Sequence, residues 1–320
     1  MSRSILPRDL KRLLVLEKQL RRAAQGCNSD QAEQVMKDIK RLLAPYGDHH
    51  RLFECKLWYF EALLHTNHLA MAESGFLGIR KKSGIGTRLA AEASFLLGIC
   101  YLRQKKTELA KGQFREVFGL LKNFKSPATR RLLQRRIATR IEEEAVLAAI
   151  MGVEEGILEP KAVHDEAVKM IQKPEDEILE IIARSLPSEA FALLQSVRED
   201  AVENLAPKDR KLLAPPGQAQ RPVFMGRVVT SVMKRIVWKS ICDAKSPLYA
   251  LWTKRAPEVF NVTYFATAVT EALNNWKIGL PILAAGVTAI IMRYSAEEFC
   301  TLAQPESIMG ARRKRREKVK

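Results

Sequence analysis

Few residues of this chain combine the types and the spacing that chemistry needs. Two histidine pairs, His49-His50 and His65-x2-His68, are the nearest approach to metal ligands. Each pair lies beside a predicted turn between helices, and no third ligand stands at the spacing of a zinc site. The segment SGIGTR, residues 83–88, contains a Gly-x-Gly but lacks the preceding strand and the full fingerprint of a phosphate loop. The sequence therefore predicts no metal, no cofactor and a simple turn at 83–88.

Three consecutive glutamates, Glu142 to Glu144, could supply acid–base chemistry only if they converged on one point. Successive side chains on a helix are about 100° apart, so the three cannot share a direction. We interpret them as a charged face that pairs with the arginines upstream. No nucleophile-elbow, zinc-protease or Walker motif is present either. The sequence therefore predicts a protein that is not an enzyme and has no catalytic residues.

The composition favours helices around a sizeable core. The 320 residues are 47% hydrophobic, which excludes a disordered chain, but only 7% aromatic. Leu and Ala are abundant, and this mixture suits helices better than a sheet sandwich. A chain of this length suggests about two domains. We therefore expect an all-α fold.

The cysteines and the N-terminus indicate the cellular compartment in which the protein is found. Cys27, Cys55, Cys100, Cys242 and Cys300 lie far apart, are odd in number and show no CxxC spacing. We expect them to be reduced thiols that pack as small apolar side chains. The N-terminus has no apolar stretch of signal-peptide length. These observations predict a cytoplasmic protein, with membrane association as an open alternative.

Helical periodicity predicts three pairs of helices in the first part of the chain. The pairs are 8–24 with 31–44, 51–64 with 68–80, and 87–104 with 107–122. The second helix of each pair carries Ala, a large apolar residue four positions later and a β-branched residue three beyond. These triplets are Ala32/Met36/Ile39, Ala72/Phe76/Ile79 and Ala110/Phe114/Val117. We expect the small residue to let two helices approach and the large one to fill the groove between neighbouring hairpins.

The third pair resembles a tetratricopeptide repeat. The residues at the spacing LG-x2-Y…A-x3-F are Leu97, Gly98, Tyr101, Ala110 and Phe114. Ser94 and Lys122 replace the usual Trp and closing Pro. The resemblance covers residues 8–124 and implies a solenoid of helical hairpins whose first helices line a groove for a protein or peptide partner. Antiparallel hairpins of another kind, with the same packing needs, remain the alternative.

Three charged residues of the first helices are the groove candidates. We expect Lys56, Arg88 and Glu92 to be exposed there and to contact the partner. The sequence thus predicts a non-enzymatic scaffold or adaptor protein, and a small-molecule substrate is not expected.

The helix predicted over 126–151 is basic in its first half and acidic in its second, the order that its own dipole disfavours. Groups outside the helix must therefore compensate these charges. Nearby, residues 111–140 contain nine lysines and arginines and a single acid, Glu116. This basic region either docks the acidic segment 142–203 or forms a groove for phosphates or an acidic peptide.

Turn-rich segments divide the chain into five parts. These are 1–125 with the repeats, 126–210 as a helical extension with the acidic segment, 211–222 as a Pro/Gly/Gln-rich linker, 223–303 as a small apolar helical module, and 304–320 as a basic tail. The architecture expected is thus a tetratricopeptide-like solenoid followed by a small C-terminal helical domain.

Two apolar stretches of 15 residues, Val259–Leu273 and Ile278–Met292, dominate the C-terminal module. At 1.5 Å per residue each helix would cover ~22 Å, short of a hydrocarbon core of ~30 Å. Length therefore predicts a buried hairpin within 259–292, covered by the helix 223–240 and by 246–253. The basic residues that flank the hairpin keep membrane insertion as an alternative.

The net charge of +17 supplies a further alternative, association with nucleic acid or with an anionic membrane surface. The residues expected to bind such an anionic surface are in the basic tail, namely Arg312, Arg313, Lys314, Arg315 and Arg316. If charge alone drives nucleic-acid binding, affinity should fall steeply with salt and show little sequence preference. A gel-shift series at increasing salt, with the full chain and with a chain ending at Gly310, measures this. Absence of binding by both chains, or binding that salt does not weaken, would exclude the nucleic-acid alternative.

Overall fold

The structure is a computed structural model that describes residues 4–84, 86–122, 126–205, 210, 221–254 and 262–305. These residues form fifteen α-helices and no strand, with one isolated bridge between Glu154 and Gly279. The all-α prediction is therefore confirmed. The predicted linker, apart from residues 221–222, lies outside the described residues, and so do Arg312 to Arg316 of the tail.

The chain divides into two compact units, and the boundary falls inside one helix, between Ile137 and Ala138. The first unit contains six helices and the start of a seventh. They are α1 (Pro7–Gln25), α2 (Ser29–Leu43), α3 (His50–His65), α4 (Leu69–Lys82), α5 (Arg88–Arg103), α6 (Thr107–Leu121) and the beginning of α7 (Pro127–Ile150). The six helices predicted in this part all exist, with ends shifted by a few residues.

Each helix of the first unit from α1 to α6 packs against the next one in the chain. In addition, α1 contacts α3, and α3 contacts α5. The first helices of the three pairs thus form one layer, in chain order. All nine residues of the Ala/large/β-branched triplets are at most 2% exposed, which agrees with packing between helices. Leu97 and Gly98 are buried as well, and Tyr101 is half-buried.

The large residues of the first two triplets, Met36 and Phe76, occupy different places in the core. Met36 is buried in an apolar cluster that includes Leu20 of α1 and Trp58 of α3, so residues of two hairpins surround it as expected. Phe76 is fully buried, but its ring lies 6.0 Å from that of Phe60, on the first helix of its own pair. This ring contact is within one hairpin, whereas the sequence placed the large residue between neighbouring hairpins. Met36 and Phe76 are therefore core residues with no surface to offer a partner.

Gly98 shows why a small residue is needed in the third pair. A Cβ placed on Gly98 would lie 2.5 Å from Cε1 of Phe114, so the backbone of α5 sits directly on the ring from α6. The second pair has the same kind of contact, but here the glycine is on the second helix and the aromatic ring is on the first. A Cβ on Gly75 of α4 would lie 2.4 Å from the ring of Phe60 on α3. Close approach of the helices therefore depends on these two glycines.

The second unit contains residues 138–202 and 206–305. Beside the end of α7, its helices are α8 (Pro160–Ile171), α9 (Glu175–Arg184), α10 (Ser188–Asn204, which ends in the first unit), α11 (Pro222–Cys242), α12 (Pro247–Lys254), α13 (Val262–Asn275), α14 (Pro281–Ile291) and α15 (Ala296–Leu302). The apolar helix α14 is the centre of the core, because every residue from Leu283 to Ile291 is buried.

The cover of α14 differs from the prediction. The helices that surround it are α8, α9 and α13, with a smaller contribution from α11. The predicted covering helix 223–240 corresponds to α11, which packs mainly on α9 and α13. Although α8 and α9 belong to the acidic segment, each buries an apolar stripe, including Val163 and Met170 of α8 and Ile178 and Ile182 of α9. The structure thus groups helices of the predicted parts 126–210 and 223–303 in one unit.

The two long apolar stretches of the sequence correspond to α13 and α14, which pack against each other. A tight turn joins them, in which Lys277 has a φ of 53°. None of the helices in the described ranges is both long enough and apolar enough to cross a membrane.

The expectation of five separate thiols is wrong for one pair of cysteines. Cys242, at the end of α11, forms a disulfide with Cys300 on α15, with the two Cα atoms 5.5 Å apart. Trp238 of α11 donates from its indole Nε1 to the carbonyl oxygen of Cys300 at 2.9 Å, which fixes the same two helices. The two cysteines are 58 residues apart, so no local pattern in the sequence predicts this pairing. Cys27, Cys55 and Cys100 are buried thiols.

The contact of Gly98 with Phe114 generates a test of the first unit. We expect Gly98→Ala to lower the free energy of unfolding by about 1–3 kcal/mol, since the added methyl group overpacks a rigid contact. The matched control is Gly112→Ala on α6, where an added Cβ meets nothing within 4 Å. That substitution should be neutral or raise stability by up to about 1 kcal/mol, since Ala favours helix. Chemical denaturation of both variants provides the measurement, and a Gly98→Ala variant as stable as the unchanged protein would contradict this packing.

Candidate partner-binding face of the first helices

The contact between α1 and α3 is held by a buried ion pair. Glu17 of α1 is only 7% exposed. Arg51 of α3 donates from Nε and from Nη2 to the two carboxylate oxygens of Glu17, at 2.8 Å each. Two parallel charge-assisted hydrogen bonds fix both distance and angle between partners. This pair therefore sets the position of α1 on α3.

The contact between α3 and α5 also carries buried charge. Glu61 of α3 and Glu92 of α5 are each 3% exposed. The Nε2 atom of His65 lies 3.8 Å from Glu61 Oε1, and the Nε atom of Arg88 lies 2.5 Å from Glu92 Oε1. At the other end of α5, Arg103 donates from Nη1 to the carbonyl oxygen of Leu64 at 2.6 Å. The layer of first helices thus encloses polar groups along its length.

Glu92 is the most perturbed of these groups. Burial raises the pKa of its carboxyl to about 7, and the negative charges of Glu61 and Glu54 raise it further, against the opposing effect of Arg88. Its Oε1 atom makes no hydrogen bond within the described part of the chain, despite the short distance to Arg88. At neutral pH the carboxyl of Glu92 is therefore protonated far more often than that of an ordinary glutamate.

The three residues predicted for the groove do not all lie together, since Arg88 and Glu92 pair on α5 but Lys56 is apart from them. Arg88 is half-buried and Glu92 is buried, so Glu92 is not at an exposed position as expected. Lys56 lies on another side of α3, near Lys82 of α4, because position 56 is about 200° around the helix from position 54. The sequence predicts exposure from the charge of a residue on a first helix, whereas its burial depends on which neighbouring helix covers it.

Sequence reasoning missed the residues that do share one side of α3. Arg51, Glu54, Glu61 and His65 follow helical spacing and face the same way. Glu54 is exposed and contributes to the pKa of Glu92, so it lies toward α5. We call the side of α3 and α5 that carries Glu54, Glu61, Arg88 and Glu92 the first-helix face. The spacing of 3, 4 and 7 between charged residues of α3 was the available signal.

The histidines considered as metal ligands have other contacts. The rings of His49 and His50 lie 4.3 Å apart, and Nδ1 of His49 accepts a hydrogen bond from the backbone N–H of Arg51. Nδ1 of His68 lies 2.9 Å from the hydroxyl of Thr66. Across the described ranges, no three His, Cys, Asp or Glu side chains are grouped to hold a metal ion.

The segment 83–88 forms a turn between α4 and α5, as predicted, in the residues that the structure describes there. Ser83 follows the end of α4, and its hydroxyl donates to the carbonyl oxygen of Ile79 at 2.8 Å. Gly86 has a φ of 85°, a conformation that favours glycine. Thr87 begins α5 as its N-cap and accepts a hydrogen bond from the backbone N–H of Ala90.

In the second unit, the three consecutive glutamates each find an arginine. Glu144, which is fully buried, lies 3.0 Å from Arg140 Nε and accepts from Arg235 Nη2 at 2.9 Å. Glu143 also pairs with Arg235, and Glu142 lies 3.4 Å from Arg198 Nη1.

The predicted partner upstream is thus correct for Arg140, but α10 and α11 supply the other two arginines. These supply the outside compensation that the reversed charge order of α7 requires. Burial raises the pKa of Glu142 to about 7. The hypothesis that the whole basic region 111–140 docks the acidic segment stays a prediction.

Comparison with protein-family models, with curated proteins and with solved structures finds no match to this chain. Its function is therefore inferred from the contacts described above.

The raised pKa of Glu92 predicts a pH dependence of stability. Since the folded pKa of about 7 lies above the ordinary value of 4.5, ionisation opposes folding as pH rises through this window. The free energy of unfolding should fall by up to about 3 kcal/mol from roughly pH 5 to roughly pH 8 on account of this group. Glu92→Gln should remove that share, although Glu142 adds a fall of the same sign.

Chemical denaturation at the two pH values tests this, with Glu108→Gln on the exposed side of α6 as the control. The control should leave the pH difference nearly unchanged, because that side chain stays in water in both states. An identical pH difference in Glu92→Gln and in the unchanged protein would show that Glu92 does not have the raised pKa.

Proposed function

We propose that this protein is a non-enzymatic scaffold or adaptor that binds a protein or peptide partner through a tetratricopeptide-like array of helical hairpins. The observation that carries the proposal is the contact of α1 with α3 and of α3 with α5. Successive first helices that touch one another provide a continuous side to which one extended segment can bind. The spacing of Leu97, Gly98 and Tyr101 in α5 supports the same assignment.

The first-helix face combines fixed charges with accessible ones. The pair Glu17–Arg51 is largely buried and joins α1 to α3, while Arg88–Glu92 is a pair within α5. Glu54 is exposed between them, and Leu14 of α1 is 44% exposed. A partner segment that presents a basic residue to Glu54 and an apolar one to α1 fits this combination, and it would bind to helices that are already ordered.

The alternative proposal, association with nucleic acid, rests on the net charge of +17 and on a tail outside the described residues. The contacts between first helices favour the protein partner. They form a continuous surface, whereas the nucleic-acid alternative rests on net charge alone.

Glu54→Lys in the full-length chain tests the partner-binding proposal. Reversal of this exposed acid on the first-helix face should weaken capture of the partner at least tenfold, equivalent to about 1.4 kcal/mol or more. The matched control is Glu33→Lys, which makes the same charge change on the exposed side of α2. That variant loses only a surface pair with Lys37 and should capture the partner like the unchanged protein.

The measurement is quantitative mass spectrometry of proteins that co-purify with each variant from native cells. The decisive comparison is between Glu54→Lys and Glu33→Lys, since both raise the net charge equally. Equal capture by both variants and by the unchanged protein would remove the first-helix face from consideration. Loss of capture by both would point to net charge in place of a defined face.

A further inference from the structure

Two lysines from different helices converge on one aromatic ring on the side of α3 opposite to Glu54. The ammonium nitrogen of Lys56 lies 5.3 Å from the centroid of the Phe53 ring, and that of Lys82, on α4, lies 5.9 Å from it. Phe53 itself is 8% exposed, so its ring forms an apolar base beneath the two charges. Lys82 also lies 3.2 Å from Asp48, in the segment that precedes α3.

A third lysine adds to this arrangement. The pKa of Lys56 is lowered by burial, then by the positive charges of Lys82 and of Lys40 on α2, while Asp48 opposes the shift. Within the described part of the chain, no carboxylate lies within ion-pair distance of Lys56 or Lys40. The ammonium groups of Lys56 and Lys82 therefore meet over one ring, the charge of Lys40 adds positive potential there, and the carboxylate of Asp48 lies beside Lys82. Such an arrangement is stabilised when an anion occupies it.

The geometry favours a particular class of anion. Each ammonium group offers several donors from its own direction, and a phosphoryl group offers three acceptor oxygens arranged around one atom. A phosphoryl group carries about two negative charges and a carboxylate carries one, so the phosphoryl group better matches the charge of three lysines and one aspartate. The Phe53 ring already lies beneath two ammonium groups and is buried, so it offers no free face for stacking with a nucleobase.

We propose that Lys56 and Lys82, with positive potential added by Lys40, form a binding site for a phosphoryl group on the second-helix side of the first unit. Lys56 is the central ligand because its ammonium group lies nearer to the Phe53 ring and the charges of both other lysines act on it. Lys82 closes the site from α4, and Asp48 orients its ammonium group. The site is independent of the first-helix face, and its occupancy does not require the partner proposed above.

Calorimetric titration of the full-length protein with inorganic pyrophosphate, at physiological ionic strength, tests the site. We expect saturable binding to one site, weakened about tenfold or more in Lys56→Gln and in Lys82→Gln, equivalent to the loss of one charge-assisted contact. The control is Lys18→Gln on the exposed side of α1, which removes the same charge elsewhere in the first unit and should bind pyrophosphate normally. Thermal unfolding of each variant verifies that the fold is retained. Lys82→Gln is the safer variant, because that side chain is 54% exposed.

A second arm identifies the source of the phosphoryl group. Co-sedimentation with phosphatidylcholine vesicles, with and without phosphatidic acid, reports a lipid headgroup. Binding to free pyrophosphate supports a small phosphorylated ligand, and binding to phosphatidic acid vesicles alone, lost in Lys56→Gln, supports the same site with a lipid ligand. The proposal is overturned if the unchanged protein binds neither probe, or if Lys18→Gln weakens binding as much as Lys56→Gln.

Discussion

Helices in both units approach one another more closely than a methyl group allows, and the remaining contacts depend on this constraint. In the first unit the backbone of α5 at Gly98 lies on the ring of Phe114. In the second, a Cβ on Gly226 of α11 would lie 2.2 Å from the carbonyl oxygen of Leu179 on α9, and one on Gly286 of α14 would lie 2.6 Å from Ile182. At such distances the apolar side chains beside each glycine pack closely against the neighbouring helix.

Buried charge is the second feature that the two units share. A buried ion pair contributes little net stability, because desolvation offsets the attraction, but loss of one partner is costly. Glu17–Arg51 and the glutamates of α7 therefore disfavour any arrangement of helices that would leave one of these charges buried without its partner. In both units, a carboxyl group without full compensation, Glu92 or Glu142, has a pKa of about 7.

The sequence predicts the helices well because their signals are local. Helical periodicity locates α1 to α6, and the Ala/large/β-branched triplets indicate which residues are buried. The pattern does not specify the neighbour, since Met36 lies among residues of two hairpins while the ring of Phe76 meets one in its own hairpin. Prediction fails where burial depends on a distant element. The acidic residues of α8 and α9 mask the apolar stripes that cover α14, and Glu92 is an ionisable residue that is nevertheless buried.

Prediction of the candidate sites fails for the same reason, because it depends on distant elements. The type of a residue and its position on a first helix do not reveal which side of the helix it occupies. Lys56 lies near Lys82 over the same ring, and this proximity follows only from the packing of α4 on α3. The disulfide between Cys242 and Cys300 is likewise a property of how α11 and α15 pack.

The position of α14 in the chain has a consequence for synthesis. In the first unit each helix from α1 to α6 finds its neighbour directly before or after it, so packing can proceed while the chain leaves the ribosome. In the second unit α8, α9 and α11 are all made before α14, the helix that they enclose. Until residues 281–291 emerge, α9 and α11 can pack against each other, but the apolar residues of α8 and α9 that contact α14 stay uncovered. The second unit can therefore complete its core only after α14 has been made, and a ribosome that stops before α14 releases a chain with exposed apolar surface.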